Sequence, residues 1–68
     1  MGNGRGVVAE FSNLTGLGII AASDGSEIAF HCIQIADGSR FIDVGTPVGF
    51  SVFPAMKGRV EAMKVEKL

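Results

Sequence analysis

Short runs of β-branched and aromatic residues, each cut off by glycine or proline, constrain this chain more than any other feature. Runs near residues 5–12, 17–22, 27–35, 47–53 and 59–66 place such a residue at about every second position, the spacing of a half-buried strand. Leucine, which would favour helices, is scarce: outside the C-terminus there are only Leu14 and Leu17. A helix competes only over residues 55–67, where Val60, Met63 and Lys67 hint at helical spacing. There Val60, Ala62, Lys64 and Glu66 alternate, and Pro54 and Gly58 flank the segment.

The breaks between runs set the connectivity. Asn13-Leu14-Thr15-Gly16 and Ser23-Asp24-Gly25-Ser26 are short enough for hairpins, and Asp-Gly is a strong hairpin signal because both residues tolerate positive φ. The first three strands are therefore expected to form an antiparallel meander. Ala36 to Thr46 is longer, so it is where the chain crosses to another part of the sheet. Pro54 stops the fourth strand, and residues 54–58 form the last loop. The expected fold is all-β: a five-stranded antiparallel barrel, closed or partly open, since closure protects the edges of so small a sheet.

With 68 residues the chain holds one domain, expected over 1–68 with residues 1–4 as a flexible N-terminus. A single cysteine, Cys32, excludes an internal disulfide, the usual staple of a small secreted domain, so a cytoplasmic location is expected. No apolar stretch is long enough to span a membrane, and the N-terminus lacks the pattern of a signal peptide. Six basic and seven acidic side chains leave a net charge of -1, without the strong positive field of a tight duplex-DNA binder.

Gly16-Leu17-Gly18-Ile19-Ile20, then Asp24-Gly25, then Glu27-Ile28-Ala29-Phe30-His31 together resemble the cold-shock domain family. Arg5-Gly6-Val7-Val8 and Phe11 before them extend the likeness over almost the whole chain, as do Ile35, Gly45, Val48, Phe50, Glu61-Ala62 and Val65 after them. The resemblance implies an oligonucleotide-binding barrel, or OB-fold. Strands one to three of such a barrel present aromatic rings on which unpaired bases stack. By position, Glu10 stands where the family usually has Trp. Leu17 and Ile19 stand where it has aromatic residues, and Ala29 and Cys32 where it has Phe. Of that platform Phe11 and His31 remain, and Phe41 in the crossing loop is a candidate substitute for a missing loop ring.

Each candidate also has a plainer reading. Phe30, Phe50 and Phe11 sit among Val8, Ile20, Ile28, Ile35, Val48 and Val52 at inward spacing and read as core. His31 either stacks on a base or bonds phosphate, or is a surface histidine without a partner. Cys32 reads as a small apolar residue more readily than as a nucleophile, since no second histidine exists to activate it. Arg5, Lys57, Arg59 and Arg40 are the candidate phosphate contacts, although no basic run exists and solvated charge is the commoner role.

One histidine and one cysteine do not make a metal site, and no cofactor is implied. The Gly-x-Gly pairs at Gly2 and Gly16 lack the helix of a phosphate loop, and the carboxylates are scattered, so an enzyme is not expected. Two functions remain. The first is weak, low-specificity binding of single-stranded RNA or DNA through Arg5, Glu10, Phe11, Leu17, Ile19, Ala29, His31, Cys32, Arg40, Phe41, Lys57 and Arg59, in the manner of an RNA chaperone. The alternative is a degenerate barrel whose altered face contacts a protein partner or a second copy in a weak homodimer.

Overall fold

The computed structural model describes residues 2–54 and 60–68, and for residues 2, 3, 53, 54 and 60 it describes the backbone alone. The expected loop over residues 54–58 thus lies, beyond Pro54, outside the described residues. Five strands follow one another: β1 (Gly2–Phe11), β2 (Leu17–Ala22), β3 (Glu27–His31), β4 (Pro47–Pro54) and β5 (Val60–Lys67). They close into a barrel in the order β1-β2-β3-β5-β4. The meander is present, with β1 antiparallel to β2 and β2 antiparallel to β3. One departure from an all-antiparallel barrel is the seam, where β3 meets β5 in parallel through Ala29 and Glu61. Residues 2–4, expected as a flexible lead-in, are in register with Val52, Ser51 and Phe50 of β4.

Strand three is shorter than expected. It ends at His31, and Cys32–Gln34 turn into a 3-10 helix whose first free amide, that of Ile33, donates to His31 Nδ1 at 3.3 Å. At the second hairpin only Gly25 takes positive φ; Asp24 instead accepts from the Ser26 amide and hydroxyl at 2.9 and 2.6 Å.

Two irregularities decide which side chains face out. In β1 the register slips between Val8, opposite Ile20, and Glu10, opposite Ile19, so Ala9 is a bulge residue. Val8 points into the core while both Ala9 and Glu10 are exposed; strict alternation would have sent Glu10 inward with Val8. In β5 the register slips opposite Gly49 and Ser51, and Lys64 adopts a φ of 52°. That bulge lets Ala62 and Val65, three apart, both enter the core.

Val8, Ile20, Ile28, Phe30, Ile35, Val48 and Phe50 fill the core as their spacing implies, joined by Cys32, Ile42, Ala62 and Val65. Val52 and Phe11 pack against it only partly buried. The crossing loop is tied down at Asp37, which accepts from the Ser39 amide at 2.9 Å and pairs with Lys67 at 3.2 Å. Those Ser39 hydrogen bonds, and then Lys67, hold the Asp37 carboxyl down to about 2 from its usual 3.8. Because the carboxyl is more acidic folded than unfolded, its stabilising effect is complete above about 4. That effect disappears as pH falls through about 2. An NMR titration is expected to give Asp37 a midpoint near 2, and Lys67→Ala to raise it; an ordinary midpoint in the intact protein would refute the clasp.

Candidate nucleic-acid interface

Three adjacent strands and the barrel seam build one open face. Across it the register pairs Glu10 with Ile19, Ile19 with Ala29, and Ala29 with Glu61. Two residues along the strands, Leu17 stands opposite His31. Glu10, Phe11, Ser12, Leu17, Gly18, Ile19, Ala29 and Glu61 line a groove of about 490 Å³ here.

The floor of this groove depends on glycine. Gly18 lies so close to the Phe30 ring that a Cβ would meet it at 2.6 Å, with the Glu10 carbonyl at 2.9 Å. Gly16 takes a φ of 74° beneath the Cys32 sulfur and the His31 imidazole, and its carbonyl accepts from the Cys32 amide at 2.7 Å. The Gly16-Leu17-Gly18 run thus lets β2 approach β3's large side chains while Leu17 points outward, 55% exposed.

Aromatic rings form a short ladder from core to surface. Phe30 is buried, and Phe11 stacks on it with centroids 6.1 Å apart. Phe41, 48% exposed, meets Phe11 edge-on at 5.7 Å. Phe11 therefore belongs both to the core and to the groove. Phe41, the candidate substitute for the missing loop ring, joins it from the crossing loop as the second outward ring.

Other expected site residues fall elsewhere. Cys32 is 8% exposed and belongs to the core: the inward parity of Ile28 and Phe30 carries on to it as the strand ends. His31 is half-buried and its Nδ1 is occupied by the Ile33 amide, which leaves only its other ring edge for a ligand. Arg5 is exposed on β1 opposite Gly49 and lines a separate hollow with Lys64 and Glu66, so it does not reach the groove. Arg40 is exposed beside Phe41. Lys57 and Arg59 lie outside the described residues.

Ser12, Gly18 and Glu61 line the groove without having been expected as site residues, and of these Glu61 alone brings a charge. The inward Ala62 signals that Glu61 faces out, but its position beside Ala29 follows from the pairing of β3 with β5, which no local pattern announces. Among the described residues lining the groove there are two carboxylates and no cation.

A small closed barrel with a grooved outer face of glycines, apolar residues and rings is the architecture of oligonucleotide-binding barrels. The sequence model of the 'Cold-shock' DNA-binding domain matches residues 4–68. The chain belongs to the cold-shock domain family, and so to a class of nucleic-acid-binding domains. No curated protein sequence matches it. Among solved structures, a Drosophila chain described as Unr CSD456 superposes with a TM-score of 0.81 at 25% identity. The alignment covers 98% of this chain and 27% of that one, so this domain spans about a quarter of its structural relative.

Proposed function

We propose that this domain binds single-stranded nucleic acid, RNA or DNA, weakly and with little readout of sequence order, and performs no chemistry on it. The carrying observation is the Phe11–Phe41 ring pair at the rim of an apolar groove on the face formed by β1 to β3. Stacking on rings contributes about 1–3 kcal/mol per base, and most of the family's rings are replaced here by Leu17, Ile19 and Ala29, so affinity is low. Acting in the cytoplasm, such a domain opposes RNA secondary structure by occupying the unpaired form, since a ligand of one state shifts the equilibrium toward it.

Fluorescence anisotropy with labelled mixed-sequence RNA and DNA strands at low salt tests this reading. Detectable binding is expected, and Phe41→Ala should weaken it about fivefold or more while leaving the fold intact. The salt slope should be shallow, about -1.4 on a log-log plot if two cations reach phosphate. A domain without affinity for either strand would instead favour the protein-contact reading, to which the Glu10 and Glu61 carboxylates also lend themselves; affinity that ignores Phe41 would take the binding away from this ring pair.

A further inference from the structure

The transverse row Glu10–Ile19–Ala29–Glu61 places an apolar centre between two hydrogen-bond acceptors. With neighbouring strands about 4.8 Å apart, the glutamates stand about 14 Å apart at backbone level, leaving a base-wide floor between them. Both are exposed, and neither carboxylate has a hydrogen-bond or ion-pair partner among the described residues. The β1 bulge at Ala9 is what turns Glu10 toward this floor.

Resting on the reading of this face as a single-strand site, we propose that the row selects bases bearing an exocyclic amino group, cytosine, adenine or guanine, over uracil and thymine. A carboxylate offers only acceptors. The amino groups of cytosine, adenine and guanine donate to it, as when an acidic side chain reads cytosine N4. At the equivalent position uracil and thymine present the O4 carbonyl, whose lone pairs oppose the carboxylate; their one donor, N3–H, is set between two carbonyls, so the carboxylate exchanges water for a poorer hydrogen bond. The phosphates feel the same repulsion for every base, so the carboxylates lower affinity throughout and lower it most for uracil and thymine.

Octacytidylate and octauridylate make the sharpest pair of probes, because ring size and backbone are alike and the amino and carbonyl groups differ. Anisotropy at one low salt concentration is expected to show cytosine bound about fivefold more tightly. In the Glu10→Gln/Glu61→Gln variant, whose amides can both donate and accept, uracil binding should rise and the preference should collapse. Circular dichroism checks the fold, and the single variants serve if the double one does not fold. Equal affinity for both strands, or a uracil preference, would overturn the proposal while leaving single-strand binding in place. A cytosine preference that survives in the variant would overturn the assignment to these carboxylates. Absence of binding to any strand, together with binding of a labelled oligolysine peptide, would overturn both readings and give the row to a basic protein partner.

Discussion

Truncating Phe50 to alanine is expected to leave little folded protein at room temperature. Removing a buried phenylalanine side chain costs about 3–5 kcal/mol, whereas a core this small supplies roughly 3–5 kcal/mol in total. Phe50 is 5% exposed and its ring lies against Gly4 of β1, where a Cβ would meet it at 2.8 Å. The glycine leaves the space and the ring fills it, across the β1–β4 pairing that joins the two ends of the strand order. Gly4 has no side chain to fill the space that the ring leaves on that side, so the cost should fall toward the upper part of the range. A urea or thermal melt followed by circular dichroism reads the effect, and Phe50→Leu, which keeps most of the apolar volume, should retain a cooperative transition. A Phe50→Ala protein that melts like the unaltered one would mean that this ring does not brace the barrel.

Legibility in the sequence followed how local the cause was. The strand positions, the meander and the inward set from Val8 to Phe50 come from alternation and turn chemistry, each a matter of neighbouring residues. Glu10, Lys64 and Glu61 follow from something else. A bulge shifts parity by one residue, so Val8 and Glu10, which alternation would keep together, part company at Ala9. The Lys64 bulge similarly brings Ala62 and Val65 to one side. Ile42 shows the limit of reading loops as surface: Arg40 and Phe41 before it and Asp43 after it are exposed, yet Ile42 is 1% exposed because a crossing segment over a barrel end must help to seal it. The resemblance placed Cys32 on the binding face and alternation left its direction open; the structure buries it, because the inward parity of Ile28 and Phe30 continues to Cys32 as the strand ends.

Returning rings to the open face is expected to strengthen single-strand binding by about tenfold or more for each ring that reaches a base, the equivalent of about 1.4 kcal/mol. Ala29 is exposed between Ile19 and Glu61, and Leu17 is exposed opposite His31, so Ala29→Phe and Leu17→Phe add rings on the solvent side without displacing core atoms. Glu10→Trp does more. It adds a large ring at the end of the transverse row and removes a carboxylate that repels phosphate, and the Ala9 bulge ensures that the new side chain projects outward. The two effects separate by base. Stacking favours all strands, whereas loss of the carboxylate removes the penalty on the O4 carbonyl, so octauridylate should gain more than octacytidylate with Glu10→Trp, and the two should gain alike with Ala29→Phe. Equal gains from both substitutions would show that Glu10 acts through phosphate repulsion alone. Folded Glu10→Trp and Ala29→Phe proteins with no affinity for any single strand would remove the main support for the nucleic-acid reading, and the face would then be a protein-contact surface.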